Sequence, residues 1–541
     1  MSTVKEDELL SADPLDTGEE AEEILEATTP GPGLRYERLL IAAAIAVVVA
    51  GVALRFVTKS DMWLDEALTL NIARQPLSHL HAALRRDGAP PLYYVLLHFW
   101  VGAFGTSDTA VRALSGVMST LTLPFVWVAG RKLGGRVVAA SAVVIAATSP
   151  FAIRYATENR MYALVILLAA AGIVALQRSL ARPAVGNLVA VGLVCGLLLY
   201  SHYWALYLVG ITALWLVFQA WRGPEARRRG ARFSLGALVV GSLTFVPWVP
   251  TFVFQTQHTG TPWSTPANFS AMVDSVTSFA GGTTDEGRAL ALVYFALAGL
   301  GLFGLARGKL HVDLDLRTRP AARPYAIVMA ATLATAVVGG YLSSSGFQVR
   351  YASVVLVPLV LLMALGLSTL GDRRIFAGVL AATALFGVVG SLPNIWTSRT
   401  EAGQVATGLA RYARAGDVVG FCPDQLGPAV DLLVPAGRYQ MTTFPRETSP
   451  AFVDWVDYAK TSHAGKPAAF ASYLESLAGS THQIWVVWAP GYQTLKTKCE
   501  QIVADLVADP GLTGSTVVPF LQVNSPWVSY EEMDLVRFVH N

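Results

Sequence analysis

Four short stretches of this sequence carry the residue types that move protons and hold anions. They are Asp65-Glu66, Glu158-Asn159-Arg160 running into Tyr162, Ser201-His202-Tyr203, and Arg350-Tyr351. A carboxylate can take a proton from a hydroxyl, and an arginine fork can hold a phosphate through two hydrogen bonds. Each of these stretches borders a long apolar run, where an ionisable side chain is costly and marks a site by default. A plain structural reading stands beside each. Asp65 suits an N-cap, and acids suit the first turn of a helix over 66–73. Glu158 and Arg160 could anchor a helix end at an interface. Arg350 opens an apolar run where an anionic partner is expected, and that partner is either a phosphate at the bilayer surface or the carboxylate of Glu158 or Asp65. His202 could be a structural hydrogen-bonding residue, a metal ligand or a substrate contact.

The elements that must position these residues are membrane helices. Of the 541 residues 53% are hydrophobic and 14% charged, and the mean hydropathy is +0.47. Soluble chains are about a quarter charged, so much of this one avoids water. About 20 apolar residues cross a bilayer. Suitable segments are 39–57, 110–130, 137–153, 161–177, 185–200, 203–221, 233–250, 289–306, 325–342, 351–370 and 375–391, which is eleven. The stretch 91–104 is apolar but too short and follows Pro90-Pro91, so it is expected to lie in the interface. Residues 1–38 are acidic and lack the basic start of a signal peptide, which predicts a disordered cytosolic tail.

Loop charge orients the chain. With the amino terminus in the cytosol, the inner loops carry 17 Lys and Arg against 10 outside, six of the latter in the long loop 55–112. That asymmetry follows the positive-inside rule and places the carboxyl terminus outside. Residues 39–393 therefore read as a transmembrane domain and 394–541 as a soluble α/β extracytoplasmic domain. Strands are predicted over 417–421, 484–488, 516–520 and 534–539, and helices over 400–414 and 493–508. The chain has three cysteines and no CxxC pair. Cys422 and Cys499 both fall in the outer domain, as a disulfide or as two buried thiols. Long basic tracts with interleaved aromatics are missing from the sequence, which argues against nucleic acid as a partner. On this topology all four stretches fall at one membrane surface, the outer one.

The ordered set resembles the GT-C membrane glycosyltransferases of the protein-O-mannosyltransferase and aminoarabinose-transferase type. Within them it is most similar to actinobacterial polyprenyl-phosphate-mannose-dependent mannosyltransferases. The matching pieces are Trp63-Leu64-Asp65-Glu66, Ala89-Pro90-Pro91-Leu92-Tyr93, Ser149-Pro150 with Glu158-x-Arg160, Ser201-His202-Tyr203, Pro247-Trp248 and Arg350-Tyr351. They cover about residues 38–390.

The resemblance implies an inverting transfer of a sugar from a polyprenyl-phosphate donor to a cell-envelope acceptor, whether a polysaccharide, a lipoglycan or a protein. It also implies a plasma-membrane location. Asp65 would be the general base, with Glu66 and Glu158 as further catalytic acids. Arg350, Tyr351 and Arg160 would hold the donor phosphate, and His202, Tyr203, Tyr93 and Tyr162 would contact substrate. Family members differ over a divalent cation; Asp65, Glu158 and His202 could make a weak site or none. Two other readings stay open, a polyprenyl-phosphate-arabinose-dependent arabinosyltransferase and a lipid or sugar transporter. A transporter would place its ionisable residues near the midplane rather than at one surface.

Overall fold

The computed structural model describes residues 32–260, 268–282, 285–343, 346–519 and 530–541. The acidic stretch up to residue 31, Trp263 and the last residue of the 516–520 run lie outside the described residues. Contacts divide the chain into Met1–Ala46 and Val47–Asn541. The first unit supplies the start of helix Pro32–Ala53, which is apolar enough to span a membrane from Arg38 onward.

Among the described residues nine helices are long and apolar enough to cross a membrane. Each of the eleven predicted segments contains a helix, and the two figures differ at two places. Segments 110–130 and 137–153 share one continuous run, Asp108–Thr148, of 41 residues. At 1.5 Å per residue it would be roughly 60 Å long, twice a hydrocarbon core. Its backbone leaves the helical region at Gly134 and Gly135, where φ reaches 82° at Gly135. The chain turns back there so closely that a Cβ on Gly130 would stand 2.9 Å from Ala139 Cα. Val185–Leu199 is apolar but has 15 residues, short of a full span. The predicted short segment is helix Leu92–Phe104. A hairpin of β1 (Gly304–Arg307) and β2 (His311–Leu314) occupies part of the charged loop 307–324 and ends the preceding helix at Phe303.

The loops around 55–64 and 149–161 owe their shape to buried polar contacts. Arg55 donates to the carbonyls of Ala146 at 2.7 Å and Ala147 at 2.6 Å, satisfying groups that the end of helix Asp108–Thr148 leaves open. The chain then restarts as helix Pro150–Ala156, with the Ser149 hydroxyl accepting from the Ala152 amide at 3.3 Å. This delivers residues 157–161 to the head of helix Tyr162–Ala181. The long loop 55–112 folds into helices Leu64–Ala73, Leu77–Asp87 and Leu92–Phe104. Gly88, at φ 88°, closes the second in the left-handed conformation.

The carboxyl-terminal part holds a five-stranded sheet in the order β4-β3-β5-β7-β6. Its strands are β3 (Val418–Cys422), β4 (Gln440–Thr443), β5 (Ile484–Trp488), β6 (Leu512–Val518) and β7 (Asp534–His540). β3 pairs in parallel with β4 and β5, and the β7 pairings are antiparallel. β3 is buried along its whole length, as its unbroken apolar run requires of a strand covered on both faces. β4 and helix Pro467–Ala478 were not foreseen, and the predicted 493–508 helix begins later, at Lys498. Cys422 and Cys499 form a disulfide. Segment 451–458 binds the loop 55–112: Ala451 O accepts from Asn71 at 2.9 Å, and the Trp455 amide donates to Arg86 O at 3.1 Å.

Candidate active site

Helix Leu64–Ala73 starts directly after Trp63, and its N-cap position carries no side-chain hydrogen bond. Asp65 is therefore not the cap, which corrects that half of the capping reading, and it stands with Glu66 in the first helical turn. Its carboxylate instead faces a cavity of about 940 Å³ between the membrane helices and the carboxyl-terminal sheet. Asp65 Oδ2 lies 3.4 Å from Arg350 Nη2 and 3.8 Å from Arg160 Nε. Each of the three side chains keeps 13–17% of its surface exposed, enough to meet a ligand from the cavity.

Aromatic packing fixes these groups. Tyr351 stacks on Trp204 with centroids 5.0 Å apart, and His202 lies between Tyr351 at 5.2 Å and Tyr162 at 5.7 Å. The Arg350 guanidinium sits 5.5 Å from the Trp63 ring centroid. Burial, with Arg160 and Arg350 nearby, holds His202 down to about 3, so its ring is neutral; its Nδ1 accepts from the Trp204 amide at 3.2 Å. Tyr203 donates to Gln255 and accepts from Trp248 Nε1 at 2.9 Å. Arg160 Nη1 donates to Thr69 Oγ1 at 2.8 Å and to Tyr94 Oη at 3.3 Å, and Tyr94 in turn donates to Asp87 Oδ2 at 2.6 Å.

Seven of the ten residues singled out from sequence line this cavity: Asp65, Arg160, Tyr162, His202, Tyr203, Arg350 and Tyr351. The other three do not. Glu66 is fully buried; it accepts from Arg112 at 2.8 and 2.6 Å, from Arg399 at 3.4 Å and from the Asn159 amide at 2.9 Å. Burial opposes its charge, but Arg112, Arg399 and that amide together hold it down to about 2. Glu158 is buried against Arg154 at 2.5 Å. Tyr93 bonds to Ser115 at 2.8 Å and Asn159 at 3.0 Å inside the protein. Neither carboxylate reaches the cavity, Glu66 because Arg112, Arg399 and the Asn159 amide occupy it and Glu158 because it is buried beside Arg154, so both are corrected from the reaction centre to its scaffold. Arg350 pairs with Asp65 and not with Glu158. Asp65, Glu158 and His202 do not come together. Among the described residues no three His, Cys, Asp or Glu side chains form a group that could hold a metal ion.

Sequence reasoning missed several members. Asp87 lines the cavity from the motif before Pro90-Pro91. Arg112, an arginine opening an apolar run at the end of a loop read as outer from its charge, carried the same signal as Arg350 and was not used. Arg399 sends two bonds at 2.8 Å to Thr157 beside its contact with Glu66, and nothing in its sequence neighbourhood announces this.

The pattern of the family described as dolichyl-phosphate-mannose-protein mannosyltransferase matches residues 88–250. Among curated proteins no sequence match is found. Two crystal structures of ArnT from Cupriavidus metallidurans share the fold across 93% of this chain and 98% of theirs, at 14% identity. The form bound to undecaprenyl phosphate superposes with a TM-score of 0.57 and the apo form with 0.55. Residues 88–250 are a dolichyl-phosphate-mannose-protein mannosyltransferase family domain, and the chain that carries them is a membrane glycosyltransferase of the GT-C fold.

Proposed function

We propose that the protein transfers a sugar, mannose, from a polyprenyl-phosphate carrier to a hydroxyl of a cell-envelope glycan or lipoglycan on the outer side of the membrane. The observation that carries this reading is the carboxylate of Asp65 beside Arg350 and Arg160 on the floor of the cavity. The acceptor oxygen forms a bond to the anomeric carbon, and its proton passes to Asp65. The bond from that carbon to the phosphate oxygen breaks, and its electron pair leaves on the phosphate. The monoester anion is a good leaving group once Arg350 and Arg160 meet its charge, so no strong general acid is needed. One displacement inverts the anomeric centre. Without donor, Asp65 serves as counter-ion to both arginines; a phosphate between them takes over that part and leaves the carboxylate to the acceptor.

The polyprenyl-phosphate donor is supported by the family pattern over residues 88–250 and by the fold shared with an ArnT that binds undecaprenyl phosphate. The outer position of the carboxyl-terminal part is supported by the loop-charge asymmetry and by the Cys422–Cys499 disulfide, which belongs in an oxidising compartment. The test is transfer from polyprenyl-phosphate-mannose by membranes holding the full chain. Asp65→Asn is expected to reduce turnover by roughly a hundredfold or more, the scale of a lost general base. Arg350→Ala is expected to raise the apparent donor KM. Near-normal turnover in the first variant, or unaltered donor dependence in the second, removes the residue from its role.

A further inference from the structure

The cavity has a second half that the donor reading leaves without a task. Its floor comes from the membrane helices and the loops that join them, and its roof comes from the carboxyl-terminal part through Trp455, Tyr492, Gln493, Tyr530, Glu531 and Glu532. We propose that this roof is the acceptor subsite and that it takes a neutral carbohydrate, whose reactive hydroxyl it presents to Asp65; the inference rests on the floor being the donor site.

Topology is the first argument. β3, β4 and β5 run parallel, and the chain leaving each of them reaches the cavity wall: Gln425 after β3, Trp455 after β4, and 489–493 after β5. In open α/β sheets ligands bind outside the carboxyl ends of the strands, and here those ends face Asp65.

Charge is the second. Among the described lining residues both arginines, Arg160 and Arg350, belong to the floor, while the ionisable acids of the roof are Glu531 and Glu532. Among the described roof residues no Lys or Arg meets an anionic acceptor, which would instead compete with the donor phosphate for the arginines of the floor. A neutral one avoids that competition.

Chemistry is the third. Three aromatic rings with carboxyl and carboxamide groups at their rims match a sugar, which has apolar C–H faces and a rim of hydroxyls. Docking of a peptide by strand addition is not available here, because the edge strands β4 and β6 contribute no described residue to the cavity.

Rigidity is the fourth. The Glu531 amide donates to Arg399 O and its carbonyl accepts from the Glu401 amide, both at 3.0 Å. Arg399 is itself bound to Glu66, the residue after Asp65. The roof is thus anchored to the catalytic helix through one buried arginine.

The experiment uses the full chain in nanodiscs and measures equilibrium binding of three probes: a mannotriose, an arabinotriose and a serine-containing peptide. Binding of dodecaprenyl phosphate is measured in parallel. A saturable interaction with at least one oligosaccharide and none with the peptide is expected. Tyr492→Ala and Glu532→Gln should each weaken it roughly tenfold, about 1.4 kcal/mol, with melting temperature and lipid-phosphate binding unchanged. Arg350→Ala should do the reverse, weakening the lipid phosphate and sparing the oligosaccharide. Absence of oligosaccharide binding, preference for the peptide, or indifference to both roof substitutions overturns the acceptor assignment. Lipid-phosphate binding that ignores Arg350 overturns the donor reading instead.

Discussion

Asp65 and Glu66 are neighbours in sequence, and one helical step of about 100° sends them to different surroundings. Asp65 reaches the cavity beside two arginines with part of its surface open. Glu66 turns inward and joins the first loop (Glu66), the second (Asn159), the start of a membrane helix (Arg112) and the carboxyl-terminal part (Arg399) at one point. Removing one partner of such a buried cluster leaves charge uncompensated, which costs about 3–5 kcal/mol. Glu66→Gln and Arg399→Ala are therefore expected to lower the melting temperature of the purified chain markedly, whereas Asp65→Asn should melt near the parent. If Glu66→Gln abolished transfer with an unchanged melt, Glu66 would return to the reaction centre.

Among the elements, close helix crossings depend on small residues, as is general in membranes where lipid is as apolar as leucine. Helix Leu356–Leu367 crosses Asp285–Phe303 at Gly366 and Gly301. A Cβ on Gly366 would collide with the Leu297 carbonyl, and one on Gly301 with the Leu362 carbonyl. Gly366→Val is expected to push the helices apart and move Arg350, which precedes helix Leu356–Leu367 in the same chain run. The measurement is donor KM together with melting temperature. A variant normal in both would show that the crossing tolerates a side chain. The disulfide is a second element-level tie, closing 77 residues between the end of β3 and helix Lys498–Ala508. In the chain-entropy account such a loop is worth about 4 kcal/mol, so reduction should lower the melting temperature of the sheet. Calorimetry with and without reductant reads this.

For the molecule as a whole, two buried carboxyls, Asp424 and Glu531, lie in the carboxyl-terminal part near its contacts with the loop 55–112. Burial, with Asp65 adding to it, pushes Glu531 up to about 8; the Thr400 hydroxyl and the Leu64 backbone work the other way. Burial likewise pushes Asp424 up to about 7, against the Tyr458 hydroxyl and Arg446. Unfolded carboxyls titrate near 4, so between about pH 4.5 and pH 8 these two carboxyls bind more protons in the folded chain than in the unfolded one, and they outweigh His202, whose lowered value works the other way below about pH 6.5. Stability from these groups is present at low pH and declines as pH rises through that window. The melting temperature should fall over it, and Asp424→Asn should flatten part of the decline; a flat parental profile would refute the burial of both groups.

How much of this was legible in the sequence follows from what each pattern depends on. Apolar run length and loop charge depend on local composition, because a bilayer selects segments by length and hydrophobicity. The helical segments could accordingly be read directly, although Val185–Leu199 falls short of a full span, and so could the gathering of ionisable residues such as Asp65 and Arg350 beside apolar runs. Which of two adjacent acids faces a cavity depends on the rotation of one short helix against three distant partners. No local pattern encodes that, and Glu66, Glu158 and Tyr93 were misplaced for this reason. The roof came from strands more than 350 residues beyond Asp65 in sequence. Composition determined that the protein lives in a membrane and where its charges gather; tertiary packing alone decided which charges are open to a ligand, because burial is a property of the assembled chain.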